Sequence, residues 1–387
     1  MAHSSTILSQ LLQLVSRHDF KRIEEEGFKP GRKARSLTRW SQFVAMMFAH
    51  LTARSSLRDI TSQLGAQARR LYHLGVKGVK RSTLSDANQD RPAEFFESVF
   101  HHLYSKCSIA APKKRFRFKC KLYSFDSTTV NLCLSLFPWA RFRKNKGAIK
   151  LHTLLDHDGH IPAFVQVTDA KTPDLVVARL LKLPSGSIMV FDRGYIDFSW
   201  FGGLHEQDQF FVTRMKRNIS YKVMERHEVD RSKGLTSDQV ILLTGAKAKE
   251  CPIALRRIGY RDPETGKHYV FLTNIRHLVA KTICDIYHDR WQIELFFKWI
   301  KQNLKIKTFF GTSRNAVLTQ VWIALITLLL LAFYKFKTRL GHTLTHILKL
   351  LQLNLFSRRN LWELFNSLPS VQNGQSGTQL YIDFNYL

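Results

Sequence analysis

Apolar positions recur at helical spacing over roughly the first 110 residues. The run SLTRWSQFVAMMFAHLTA, 36 to 53, sets Ser36 as an N-cap ahead of an apolar-periodic segment, and SLRDITSQL, 56 to 64, follows it. Between 79 and 104 a basic pair, Lys80-Arg81, and a Ser/Thr-rich turn precede another helix. Two short helices around a basic turn resemble a helix-turn-helix pair; a helical bundle with a solvated basic face reads the pattern equally simply.

From 114 the period changes to two. KRFRFKCKLYSFD alternates Phe116, Phe118, Cys120 and Leu122 with basic residues and closes on Phe125 and Asp126. AIKLHTLLDHDGHIPAFVQVTD predicts two strands joined at Asp158-Gly159, a hairpin signal. VVARLLKL, 176 to 183, reads as a helix; SIMVFD, 187 to 192, and QFFVTRMK, 209 to 216, read as strands. This order predicts an α/β fold with a mixed sheet. QVILLTG, CPIALRRIGYR and KHYVFLTN add strands in a β-rich insertion, after which helices resume near 278. The most apolar run, VWIALITLLLLAFY, has 14 residues, too few to span a bilayer, and predicts a buried core helix. The expected organisation is a helical N-terminal DNA-binding domain (1–112), a first core segment (113–216), the insertion (217–276), the completed core (277–335) and a helical C-terminal region (336–387). That last region is a candidate for dimerisation, and its polar tail from 369 is expected to be loosely held.

Asp126 and Asp192 each close a hydrophobic run, YSF-Asp126 and IMVF-Asp192. A buried strand delivers its last residue to the sheet edge, where sites form in open α/β sheets. Either aspartate alone reads more simply as a turn or cap residue; two in one sheet point to a site. The segment YHDRWQIELFFKWIK, 287 to 301, supplies a third carboxylate. At about 100° per residue, Tyr287, Arg290, Glu294, Lys298 and Lys301 fall on one arc of about 80°, and Ile286, Ile293, Phe297, Ile300 and Leu304 form a separate apolar stripe. One face packs; the other presents a single carboxylate among three cations and a phenol. A solvated face with helical ion pairs, each worth about 0.2–0.5 kcal/mol, accounts for those charges but not for their coincidence with two strand-end aspartates. Three gathered carboxylates repel unless cations neutralise them. Two Mg²⁺ ions would do so and would leave positions open to phosphate oxygens.

Composition narrows the partner. Lys and Arg number 59 against 30 Asp and Glu, a net charge of +29, spread along the chain. That imbalance marks a polyanion binder. A ribosomal or membrane-surface protein is the plainer alternative, but 387 residues with 12% aromatics suit an enzyme acting on nucleic acid. The five cysteines form no CxxC pair and read as reduced thiols. No signal-peptide pattern opens the chain, so a cytoplasmic protein without membrane association is expected.

With these residues in view, the chain resembles bacterial insertion-sequence transposases of the Asp-Asp-Glu type, with a ribonuclease H-like core. The spacing Tyr287, Arg290, Glu294, Lys301 matches the Tyr-Arg-Glu-Lys signature of the insertion-sequence 4 family. Asp126-Ser127-Thr128-Thr129 and Asp192-Arg193-Gly194-Tyr195 resemble its two aspartate motifs. The resemblance implies that Asp126, Asp192 and Glu294 are catalytic and bind two Mg²⁺ (or Mn²⁺) ions. It implies that Tyr287, Arg290 and Lys301 contact phosphates at the transposon end. Lys298 and Arg193 are further DNA-binding candidates. Tyr269 stands where relatives carry an aromatic residue that stacks on a flipped base. The implied activity is cutting at the terminal inverted repeats and joining of 3′-OH ends to target DNA by a homodimer bound to DNA. The alternatives are a transposase-derived DNA-binding protein that no longer cuts, and a structure-selective nuclease on the same core.

Other acidic and histidine pairs have plainer readings. His342 and His346 read as structural, Asp156 and Asp158 as hairpin-turn residues, Asp169 and Asp174 as turn residues flanking a proline, and Asp197 as a helix N-cap.

Overall fold

The computed structural model of the chain describes residues 5–28, 37–76, 78–144, 146–246, 248–339 and 341–366. Ser36 and the polar tail from 369 onward lie outside these residues. The chain divides into two compact units: Met1–Lys113 with Thr129–Lys150 and Leu295–Leu387, and Lys114–Thr128 with Leu151–Glu294.

The N-terminal part of the first unit is helical: α1 (Ile7–Leu11), α2 (Arg17–Gly27), α3 (Arg39–Leu51), α4 (Leu57–Ala66), α5 (Ala68–Leu71), α6 (Arg81–Asp90) and α7 (Glu94–Ala110). Hydroxyl residues start four of these. Thr6, Ser16, Thr38 and Ser56 each accept the N–H three residues on, satisfying a donor that the first turn leaves without a partner. Thr38 therefore starts α3. Arg39 and every residue from Ser41 to Leu51 of α3 are buried, so the helix is covered on nearly all sides.

The remaining elements follow in chain order. They are β1 (Leu122–Leu132), β2 (Arg141–Arg143), β3 (Lys146–Asp156), β4 (Ile161–Asp169), α8 (Asp174–Ala178), β5 (Ile188–Phe191), α9 (Phe198–Glu206) and β6 (Phe210–Arg214). Then come β7 (Tyr221–His227), β8 (Leu235–Leu243), β9 (Leu255–Arg261), β10 (His268–Thr273), α10 (Ala280–Asp289), α11 (Trp291–Asn303), α12 (Arg314–Thr338), α13 (Leu344–Asn354) and α14 (Leu361–Asn366). Among the described residues these ten strands form one sheet in the order β2-β3-β1-β5-β6-β10-β9-β8-β7, with β4 also paired to β3. β5 lies parallel to both β1 and β6, buried at every position, as a central strand between crossovers must be. This is the helix-flanked mixed α/β sheet expected of a ribonuclease H-like core. The β-rich stretch after β6 does not leave that sheet. It returns through β10, antiparallel to β6, and extends the sheet as an antiparallel meander. Arg256 and Asp238 form a buried two-pronged ion pair in this meander, at 2.8 and 2.6 Å.

Several expectations need correction. The strand expected from 114 begins only at Leu122. Phe116 and Phe118 stack on each other, with centroids 5.4 Å apart, and pack against the core around Leu122; their alternation reflects that packing and not a ladder. β1 also continues past Asp126 to Leu132, so this aspartate sits mid-strand. β7, mostly exposed, and the three-residue β2 carried no readable alternation. The helix expected over 176–183 is the shorter α8. The 14-residue apolar run lies within a 25-residue helix, α12, long and apolar enough by composition to cross a membrane. The length argument therefore fails, but 89% of the helix's most apolar window is buried inside the protein, which makes it a core helix.

Candidate active site

The second unit brings together five of the residues singled out by sequence. Asp126 lies half-buried on β1, Asp192 directly follows β5, and Tyr287, Arg290 and Glu294 come from the α10–α11 segment. That segment is not one regular helix. It is interrupted at Arg290, where the backbone remains right-handed but the Arg290 and Ile293 N–H groups reach carbonyls three residues back instead of four. Asp289, just before the break, is fixed by Arg115 at 2.6 Å, with His157 Nδ1 3.8 Å away.

Arg290 is the centre of the arrangement. Its Nη1 donates to Asp126 Oδ2 at 3.4 Å and its Nη2 to Glu294 Oε1 at 2.5 Å. Burial opposes its charge, but the bond to Glu294 and the neighbouring negative charges hold its pKa above the ordinary value. Asp126 Oδ1 also accepts the Ser127 N–H at 2.8 Å. Burial pushes the Asp126 carboxyl up to about 6; Glu294 and Asp192 push the same way, while the Ser127 N–H and Arg290 oppose them. The three carboxylates thus share one electrostatic environment. Among the described residues no three side chains of His, Cys, Asp or Glu are grouped tightly enough to hold an ion. The guanidinium of Arg290 bonds both Asp126 and Glu294.

Tyr287 departs from the polar arc on which helical spacing places it. Its ring is buried 4.9 Å from Phe271, and its hydroxyl donates to Asp192 Oδ1 at 3.2 Å. Burial raises its pKa to about 12, and the negative charge of Asp192 adds to that. Arg193 is exposed on the turn after Asp192. Tyr269 on β10 is half-buried, with the Arg214 guanidinium 5.1 Å over its ring. It lines a cavity of about 310 Å³ with Arg214, Phe271, Tyr287, Arg290 and Trp291. Lys298 and Lys301 follow Glu294 on α11, where the chain enters the first unit; Lys298 is exposed and Lys301 Nζ donates to the Thr129 carbonyl at 3.0 Å.

The plainer readings mostly stand. Asp156 and Asp158 both pair with Lys121, at 2.8 and 2.9 Å. Asp197 caps α9 through the Trp200 N–H. The His342 and His346 rings stack 5.0 Å apart. Asp174 is the exception: it is more than a turn residue, because its carboxylate accepts the Ser127 hydroxyl at 2.7 Å, one residue from Asp126. Nothing in TDAKTPD signals this. Tyr195, named above only within the Asp192 motif, is buried against Phe125 and Phe191; burial, then the charges of Asp126 and Asp174, push its pKa up.

Residues 120–330 match the family described as Transposase DDE domain, and residues 3–77 match a domain of unknown function (DUF4372). A Sinorhizobium fredii protein described as a transposase, y4zB, is 32% identical over 72% of this chain and 78% of its own. A Geobacillus stearothermophilus protein described as the transposase for insertion sequence element IS5377 is 30% identical over 86% of each chain. A Synechocystis protein described as the transposase for insertion sequence element IS4SA is 25% identical over 72% of this chain and 79% of its own.

Proposed function

Since the chain belongs to the bacterial insertion-sequence transposases of the Transposase DDE domain family, we propose that it binds its element's terminal inverted repeats, cuts the DNA ends by metal-dependent phosphodiester hydrolysis and joins the 3′-OH ends to target DNA. It does so as a homodimer on DNA, at the nucleoid. The Tyr287-Arg290-Glu294-Lys301 spacing supports reading it as a member of the insertion-sequence 4 group. The observation that carries this reading is that Arg290 bonds both Asp126 and Glu294 while Asp192, held by Tyr287, lies near enough to help burial push the Asp126 carboxyl up to about 6.

The donor set fits a hard divalent ion: all three groups offer carboxylate oxygens, and their mutual repulsion favours added positive charge. Asp126, Asp192 and Glu294 would hold Mg²⁺ or Mn²⁺, two ions in all. Such ions supply Lewis acidity toward a phosphodiester and neutralise the carboxylates. The chain's own residues do the rest. Tyr287 orients Asp192 through its hydroxyl. Arg290 balances Asp126 and Glu294 and supplies a guanidinium beside them for a phosphate. Lys298, Lys301 and Arg193 hold the DNA backbone. Tyr269 offers a ring face in its cavity to an unstacked base. In the first unit, Arg54, Arg69, Arg70 and Arg358 with Gln63 and Gln67 line a cleft of about 810 Å³. Guanidinium and carboxamide groups are the donors that bind phosphates and base edges, which suits this cleft to duplex DNA.

Purified protein, Mg²⁺ and a linear DNA carrying the element's terminal repeats test the reading. Cleavage at the repeat ends, lost in Asp192→Ala and Glu294→Gln variants that still bind the repeats, is expected. Binding without cleavage by the wild type would reduce the chain to a DNA-binding derivative. Cleavage of branched DNA without preference for the repeats would make it a nuclease.

A further inference from the structure

Asp126 needs more than its position on β1 to serve as a ligand, because a half-buried carboxylate on a strand has several rotamers open to it. One oxygen is tied to the Ser127 N–H at 2.8 Å. That tie holds Asp126 only as firmly as the Ser127 peptide is itself held. The side chain of Ser127 leaves the strand on the opposite face, since successive residues alternate. There its hydroxyl donates to Asp174 Oδ1 at 2.7 Å. Asp174 stands in the first turn of α8, fixed behind Pro173. His152 Nδ1, from the buried stretch of β3, lies 3.3 Å from the same Asp174 oxygen, and its side chain has no exposure. His152 Nε2 is 2.9 Å from Thr168 Oγ1 on β4. With the Thr168 hydroxyl donating to Nε2, the ring proton sits on Nδ1, the nitrogen that faces the Asp174 carboxylate. A line of polar groups therefore runs from β4 through His152, which stands 3.3 Å from Asp174, and then by hydrogen bonds from Asp174 through Ser127 to Asp126. All of its members belong to the second unit.

We propose that Asp174, packed beside His152, is a positioning residue that fixes the Asp126 carboxylate through Ser127 for the divalent ion. This rests on the reading of Asp126 given above. Asp174 acts on Asp126 through Ser127. It acts as partners behind metal ligands do, by setting the ligand's orientation; removing such a partner typically costs about 10–100-fold in metal affinity or activity. The hydroxyl of Ser127 needs only an acceptor at position 174, so the effect follows hydrogen-bonding capacity and not charge.

The test uses the full-length protein as wild type, Asp174→Ala, Asp174→Asn, Ser127→Ala and the double variant Asp174→Ala/Ser127→Ala. Binding of Mn²⁺ is read from the free-ion electron paramagnetic resonance signal. Repeat binding is measured in EDTA, and the Mg²⁺ concentration for half-maximal end cleavage completes the set. Asp174→Ala should bind Mn²⁺ roughly tenfold more weakly and need roughly tenfold more Mg²⁺, with repeat binding in EDTA unchanged. Asp174→Asn should recover most of the loss, and the double variant should be no worse than either single one. Wild-type Mn²⁺ affinity in Asp174→Ala would overturn the proposal. So would an Asp174→Asn protein, folded by its circular dichroism, as defective as Asp174→Ala, because charge would then be what matters. A wild-type protein that binds repeats but no Mn²⁺ would overturn the reading of the carboxylates themselves, and this inference with it.

Discussion

Replacing Asp126 by asparagine should stabilise the metal-free protein while abolishing cleavage. In the folded chain burial lifts the Asp126 pKa to about 6, against an ordinary 3.8. At about 1.36 kcal/mol per pH unit the gap is worth about 3 kcal/mol. The sign follows from proton counting. Between 3.8 and about 6 the folded state binds the proton that the unfolded state has released. The group therefore costs nothing below that window, costs more as pH rises through it, and costs its full amount above it. Asparagine keeps the shape and an acceptor for the Ser127 N–H but carries no charge. Urea denaturation in EDTA at pH 7.5 should find Asp126→Asn more stable by up to about 3 kcal/mol, and the gain should shrink toward zero as pH falls to about 4. Equal midpoints at pH 7.5, or a gain that does not change with pH, would refute the claim that this carboxylate is held at a cost in stability.

The other expectations are briefer. Saturating Mg²⁺ should raise the wild-type midpoint, by about 2.7 kcal/mol at a hundredfold excess over the dissociation constant, and should leave Asp126→Asn unmoved in the same melts. His50, fully buried with its Nε2 at 3.1 Å from the Gln320 carbonyl, has its pKa dropped to about 4 by burial. A base so depressed contributes stability above 6.5 that is lost as pH falls through 4, about 3 kcal/mol in all; His50→Gln should flatten that acid limb, read by circular dichroism at 222 nm on acid titration. Arg256→Ala leaves Asp238 buried alone and should cost about 3–5 kcal/mol, most of it recovered when Asp238→Ala is added, as seen in urea midpoints. The Arg69→Ala/Arg70→Ala protein should bind repeat duplex more weakly, and its log–log salt slope, measured by fluorescence anisotropy, should be shallower by about 1.8.

The sheet was legible wherever burial was complete on both faces. IMVF before Asp192 is an unbroken apolar run because β5 is covered above and below, so its strand character and the position of Asp192 could be read directly. β1 hid its extent because its middle, from Asp126 to Thr128, is half-buried and polar while the apolar residues resume at Val130 and Leu132. A strand that carries a site interrupts its own pattern there. The Phe116–Phe118 alternation misled in the opposite sense, with period two arising from two stacked rings and no strand partner. Asp174 was illegible for a third reason. Its partner Ser127 is 47 residues away in sequence, and a turn aspartate beside a proline looks the same with or without such a partner.

The segment 287 to 301 shows where periodicity stops being sufficient. A regular helix correctly puts Arg290 and Glu294 side by side, since residues four apart face each other. It also puts Tyr287 on the same outward arc, and there it errs, for Tyr287 is 9% exposed and bonded to Asp192. The break at Arg290 separates the turn bearing Tyr287 from the turn bearing Glu294. One side of it can then follow the Phe271 core while the other presents its carboxylate to Arg290. Asp289 makes the break a fixed feature, since Arg115 holds it at 2.6 Å from a different part of the same unit. The signature spacing of Tyr, Arg and Glu thus serves two carboxylates by two routes, a phenol to Asp192 and a guanidinium to Asp126 and Glu294. A wheel drawn on one helix cannot separate those routes, because the partners that divide them lie on β1, just after β5, and on β10.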